Sequence, residues 1–125
     1  MTAGERMKRS LDVIHPDTPL EQAAARVDPT GRRPILVCEH DRLIGVLDAE
    51  ALRVGRRMGA IGPRSPRVRD AVAPDVLYCL ESTELEEVAA LMRENQAPVI
   101  PVLSADRRLV GVVSLEDVLA SGRNG

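Results

Sequence analysis

A chain of 125 residues that is 44% hydrophobic but carries one aromatic, Tyr78, with no Phe or Trp, must build a one-domain core from Leu, Val, Ile and Ala. That composition favours α/β layers with β-branched strands, and it excludes base-stacking platforms for single-stranded nucleic acid and aromatic cages for quaternary amines. Seventeen basic against nineteen acidic residues, a net charge of −2, exclude a protein whose affinity comes from neutralising many phosphates.

Met1 to Lys8 holds no apolar run, and no stretch approaches the roughly 18 apolar residues of a membrane span. A first short strand is expected at Asp12-Val13-Ile14. Thr18-x-x-Glu21 reads as a capping box with Pro19 at the first helical position. Two strands follow, Ile35 to Cys38 and Leu43 to Leu47, around a polar turn at His40-Asp41, and then a helix starting at Asp48. Gly55 to Arg67, with three Gly and two Pro, reads as a linker, and Val68 to Val72 as a short lead-in.

The second half repeats this order. Val76 to Leu80 is a strand. Thr83-x-x-Glu86 is a capping box before a helix with Leu85, Val88, Ala89 and Met92 on one face. Strands Val99 to Leu103 and Leu109 to Val113 flank a turn at Ala105-Asp106, and a last helix starts at Ser114. Thr18-Pro19-Leu20-Glu21 matches Thr83-Glu84-Leu85-Glu86, Arg33-Pro34-Ile35 matches Ala97-Pro98-Val99, and Leu43-Ile44-Gly45 matches Leu109-Val110-Gly111, at offsets of 65, 64 and 66. The unit is β-α-β-β-α, twice. One half is too small to bury both its helices, so the halves are expected to pack as one domain: repeat 1 over 5–58, a linker over 59–67, repeat 2 over 68–121.

Leu109-Val110-Gly111-Val112-Val113-Ser114-Leu115-Glu116-Asp117-Val118, preceded by Ala97-Pro98-Val99 and the helix from Leu85 to Glu94, resembles the cystathionine-β-synthase (CBS) motif. Two such repeats resemble a Bateman module over about residues 5 to 121. The resemblance implies two repeats packed sheet to sheet about a pseudo-twofold axis, often a homodimer, with an adenosine-containing ligand in the cleft. It implies a regulatory module acting on an unknown effector protein, not an enzyme and with no cofactor required.

Ser114 and Asp117 are the candidate ligand residues. A helix start with a hydroxyl suits a phosphate, and a carboxylate one turn on suits ribose hydroxyls; the same spacing is also a complete N-cap that needs no ligand. By the resemblance, Val113, Met7, Leu11, Asp12, Gly31, Arg32 and Arg33 complete that site, with Arg32 at a phosphate-contacting position. Asp48 and Ala51 stand at the matching positions of the first half. There a like charge opposes a phosphate and no carboxylate awaits ribose, so this second site, with Val76, Leu77, Gln96 and Ala97, is expected to be degenerate.

Cys38 and Cys79 match no C-x-x-C spacing, which points to a reducing compartment and a cytoplasmic protein and against zinc. Cys38-Glu39-His40-Asp41 is read as a buried cysteine beside a turn rather than a metal cluster, and His15 as a loop residue. Arg53, Arg56, Arg57, Arg64, Arg67 and Arg69 are read as a solvated helix end and linker, with nucleic-acid contact as the lesser reading. The function expected is a sensor for an adenosine nucleotide or S-adenosylmethionine. The alternative is a ligand-free homodimerising scaffold that uses apolar surface such as Leu52, Val118 and Leu119.

Overall fold

Each half of the chain builds one three-stranded sheet, with strand orders β1-β2-β3 and β4-β5-β6. The structure, a computed structural model, describes residues 1–9, 11–28, 30, 34–61, 65–72 and 76–122. The first half runs α1 (Ala3–Arg6), β1 (Val13–Ile14), α2 (Leu20–Ala24), β2 (Ile35–Glu39), β3 (Arg42–Leu47) and α3 (Ala49–Ile61). The second repeats that order with α4 (Val68–Ala71), β4 (Cys79–Leu80), α5 (Leu85–Asn95), β5 (Val99–Leu103), β6 (Leu109–Ser114) and α6 (Leu115–Gly122). The expected β-α-β-β-α unit is present twice, each time preceded by a one-turn helix.

The strand pairings follow from the connections. β1 lies parallel to β2 and β4 parallel to β5, and a parallel pair needs a crossover, which α2 and α5 supply. β2–β3 and β5–β6 are antiparallel hairpins. In the first, His40 and Asp41 both take positive φ, 52° and 66°, as a two-residue turn matched to the strand twist demands. The central strands carry unbroken apolar runs, Ile35-Leu36-Val37 and Ile100-Pro101-Val102-Leu103, because both of their faces are covered.

By contacts the chain divides into two compact units, Asp12–Val76 on one side and Met1–Leu11 with residues 77 onward on the other. One core gathers Ile14, Leu20, Ala23, Ile35, Val37, Leu47, Leu52 and Val68. The other gathers Ala3, Cys79, Leu85, Val88, Met92, Ile100, Val102 and Val113. Both are free of aromatics, as the composition required, and Tyr78 is exposed.

The short leading helices therefore serve the sheet of the other repeat. α1 docks against the second: Ala3 N–H donates to the Thr83 carbonyl (2.8 Å), Gly4 N–H to Glu81 (3.0 Å), and Leu85 N–H to the Met1 carbonyl (2.9 Å). α4 does the same in the first, through Val68 N–H to Thr18 (2.9 Å), Arg69 N–H to Pro16 (2.9 Å) and Leu20 N–H to Pro66 (3.0 Å). Ala3 and Val68 are the fully buried anchors.

These contacts correct several local expectations. The first amides of α2 and α5 are satisfied by carbonyls from the leading segments, so neither Thr18/Glu21 nor Thr83/Glu86 forms a capping box. Pro19 and Glu84 occupy the N-cap positions without side-chain caps. Thr83 Oγ1 accepts from Leu80 N–H (3.0 Å), and Glu21 is held by Arg56 (2.9 and 3.1 Å). The opening strand of the second half is Cys79–Leu80, shorter than the run from Val76. Gly55 opens no linker, because α3 continues to Ile61. A Cβ at Gly55 would lie 2.7 Å from Ala71 Cβ and 2.8 Å from Leu20 Cδ2, so glycine permits the close approach of α3 to α4.

Candidate functional site

β6 ends and α6 begins at Ser114, and the first turn of that helix closes on itself. Ser114 N–H and Ser114 Oγ both donate to Asp117 Oδ2 (3.0 and 2.9 Å), while Asp117 N–H donates to Ser114 Oγ (3.2 Å). Leu115 N–H donates to the Pro98 carbonyl (2.9 Å). This is a reciprocal cap with Asp in place of the usual Glu, so the capping reading of Ser114-x-x-Asp117 describes what the residues do in this state. One carboxylate oxygen stands outside it. Asp117 Oδ1 faces Lys8 Nζ at 3.8 Å, with the Asp117 side chain 15% exposed and the Lys8 side chain 60% exposed.

Lys8 arrives there on a strap. Its N–H donates to the Val112 carbonyl (2.8 Å) and its carbonyl accepts from Val112 N–H (3.0 Å), adding one antiparallel bridge to the outer edge of β6. Met7 crosses Gly111, where a Cβ would lie 2.6 Å from Met7 Sδ and 2.8 Å from the Lys8 carbonyl oxygen. Gly111 thus lets the leading segment lie flat on the strand.

Of the sequence-predicted residues, the structure brings Met7, Val113, Ser114 and Asp117 into one unit, with Leu11 at its edge. Val113 turns its side chain into the core, fully buried, so only its backbone is available to a ligand. Asp12 belongs to the other unit; its carboxylate pairs with Arg26 and its carbonyl accepts from Leu36 N–H (3.0 Å). Gly31, Arg32 and Arg33 lie outside the described residues. Sequence reading passed over Lys8, whose one signal was its place beside Met7 in a leading segment otherwise given no role.

The matching corner of the first half is built differently. Asp48 Oδ1 accepts Ala51 N–H (2.8 Å) as a simple N-cap, and Ala51 packs against the core. In the other unit Leu77 and Ala97 pack on its core, and Gln96 ends α5 in the left-handed region (φ 51°, ψ 40°).

Four of the arginines around α3 and α4, Arg53, Arg56, Arg67 and Arg69, meet acids, and Arg64 lies outside the described residues. Arg53 pairs with Glu50, Arg56 with Glu21, and Arg69 with Asp17 (2.7 Å) and Glu39 (3.4 Å). The Arg69 guanidinium holds the Asp17 carboxyl below the ordinary carboxylate range. Ala49, Leu52, Arg53, Arg56 and Arg57 line a depression of about 510 Å³ along α3. His15, read as a loop residue, joins Asp17 and Glu39 in a group whose donor atoms lie within 4.8 Å of one another. Its Nδ1 already accepts Asp17 N–H (3.0 Å), and the cation against both carboxylates is Arg69. Cys38 is half-buried rather than buried, Cys79 is buried, both are free thiols, and burial pushes each up to about 11. Leu52 faces the core of the first half and Val118 packs partly buried on that of the second, and among the described residues of α6 the exposed large apolar side chains are Leu115 and Leu119.

The family model of the CBS domain matches this chain twice, at residues 3–54 and 68–123, so the chain belongs to the CBS domain family as a tandem pair. It is 40% identical over 84 residues, 67% of its length, to the magnesium transporter MgtE of Thermus thermophilus, of which it covers 17%. Among solved structures it resembles the cytosolic domain of the Mg2+ channel MgtE in complex with ATP (31% identity, TM-score 0.75, covering 96% of this chain and 48% of that one). It shares its fold with CBSX2 of Arabidopsis thaliana in complex with AMP (23% identity, TM-score 0.81, covering 98% and 96%). No helix among the described residues is long and apolar enough to cross a membrane.

Proposed function

We propose that this chain is a regulatory module that binds an adenosine-containing ligand at the Ser114–Asp117 corner and through it modulates a partner protein. The observation that carries the reading is the half-buried Asp117 carboxylate. One oxygen is committed to the helix cap, and the other faces, among the described residues, an exposed lysine at 3.8 Å. A vicinal diol that donates to Oδ1 would complete its hydrogen bonding without breaking the cap. The MgtE cytosolic domain bound to ATP, at 31% identity, supports a nucleotide over other diols. The matching corner, with Asp48 and Ala51, puts a carboxylate where Ser114 has a hydroxyl and has no diol acceptor, so one site of this design is expected. The reading is of a binding module of a cytoplasmic protein, not of an enzyme.

A thermal-shift panel of AMP, ADP, ATP, S-adenosylmethionine, NADH and cyclic di-AMP tests it. A true ligand at a hundredfold excess over Kd stabilises by about 2.7 kcal/mol. Asp117→Asn, which keeps an oxygen acceptor for Ser114 but loses the charge, should abolish the response. Silence across the panel, or a response that Asp117→Asn leaves intact, refutes the reading.

A second reading, a homodimerising scaffold, is favoured by Leu115 and Leu119, which are 44% and 55% exposed one turn apart on α6. Sedimentation of the wild type and of Leu119→Glu distinguishes it. A monomer mass at all concentrations removes it.

A further inference from the structure

We infer that Lys8 makes the Asp117 corner selective for phosphorylated nucleosides over uncharged or sulfonium-bearing ones. The inference rests on the ribose reading of Asp117 given above and adds what that carboxylate alone cannot supply, a preference among adenosine compounds.

Three of the donors at the start of α6 are already spent. Leu115 N–H is held by Pro98, Asp117 N–H by Ser114 Oγ, and the Ser114 hydroxyl hydrogen by Asp117 Oδ2. A phosphate arriving there finds a capped helix end and a carboxylate, a combination that repels it. Among the described residues, the cation paired with this carboxylate is the Lys8 ammonium, 3.8 Å from Asp117 Oδ1.

Lys8 is suited to that role by how it is held. Two backbone hydrogen bonds to Val112 and the seat of Met7 on Gly111 fix its main chain. The side chain is 60% exposed, and its distance from Asp117 is beyond hydrogen-bond length. An exposed ion pair of that length is weak, so little holds the ammonium against a better partner. A ligand hydroxyl takes Asp117 Oδ1, and the ammonium turns to the ligand's phosphate, where a charge-assisted hydrogen bond is stronger. A sulfonium in the same place meets a like charge instead. The first repeat's corner carries Asp48 in place of the hydroxyl and a simple cap, so the second repeat holds the corner suited to an anion.

Lys8 is the only lysine in the chain, which makes the test clean. Isothermal titration of wild type, Lys8→Gln and Lys8→Arg is run with AMP, adenosine and S-adenosylmethionine at low and high salt, with urea midpoints for each variant. Lys8→Gln should weaken AMP roughly three- to tenfold, leave adenosine unchanged and tighten S-adenosylmethionine. Lys8→Arg should restore the AMP preference, and salt should erode it in the wild type but not in Lys8→Gln. An AMP-to-adenosine ratio that Lys8→Gln leaves unchanged overturns the inference while the ribose reading stands. Wild type that binds none of the three, or binding that Asp117→Asn does not touch, overturns both.

Discussion

Gly111→Ala measures the strap that carries Lys8. Glycine inside a strand is ordinarily a weakness, and alanine there gains about 0.5–1 kcal/mol by restricting the unfolded chain. Here the new methyl would stand 2.6 Å from Met7 Sδ, 2.9 Å from Met7 Cγ and 2.8 Å from the Lys8 carbonyl oxygen. The thioether end can swing away. The carbonyl has less freedom, because it accepts Val112 N–H at 3.0 Å while Lys8 N–H donates back at 2.8 Å. Relief therefore requires lifting the strap and losing one or both of those hydrogen bonds, each worth about 1 kcal/mol, on top of overpacking that costs about 1–3 kcal/mol.

The expected net result is destabilisation by about 1.5–3 kcal/mol, opposite in sign to the propensity change alone. The assay is urea unfolding followed by far-ultraviolet circular dichroism, since one Tyr and no Trp give little fluorescence. Met7→Ala removes two of the three close contacts, so Met7→Ala/Gly111→Ala should cost at least about 0.5 kcal/mol less than the sum of the single variants. A Gly111→Ala variant as stable as the wild type, or strictly additive with Met7→Ala, would refute the claim that the leading segment lies on Gly111.

Two smaller predictions concern backbone and charge. Gln96 ends α5 in the left-handed region and is exposed, so Gln96→Gly should stabilise by about 0.5–1 kcal/mol; a lowered urea midpoint would count against it. Arg69 lowers the carboxyl of Asp17 below its ordinary 3.8, so the pair stabilises the fold above that pH and fades as acid protonates Asp17 in both states. Arg69→Gln should accordingly lower the urea midpoint more at pH 6 than at pH 3, and an equal loss at both would show that Arg69 acts by packing alone.

What the sequence made legible is what depends on near neighbours. The apolar runs at Ile35 and Val99, the turn at His40-Asp41 and the cap at Ser114-x-x-Asp117 are fixed within a few residues, by hydrogen bonds or side-chain period, and the structure has them. The capping boxes at Thr18 and Thr83 failed because a competitor came from afar, backbone 46 and 84 positions away in the sequence: the Pro66 carbonyl over Leu20 N–H and the Met1 carbonyl over Leu85 N–H. The pairing of Lys8 with Asp117 joins the two ends of the chain, and no spacing rule reaches that distance. Gly111 was the available signal, since a glycine in an apolar strand marks a place where another backbone comes close. The resemblance pointed to Met7, and the charged residue beside it went unread.

The two corners also separate capping from binding. Both α3 and α6 start with an oxygen-bearing N-cap, and for α3, which runs 13 residues, Asp48 accepting Ala51 N–H is sufficient. If capping were all that α6 required, Ser114 alone would meet it as Asp48 does, with alanine at the third helical position as in the first repeat. Instead that position holds a carboxylate whose second oxygen lies outside the cap, beside a lysine delivered by a segment that Gly111 admits. The surplus of one acceptor and one cation over what a helix start needs is the physical basis for proposing a ligand site at the second corner and not the first.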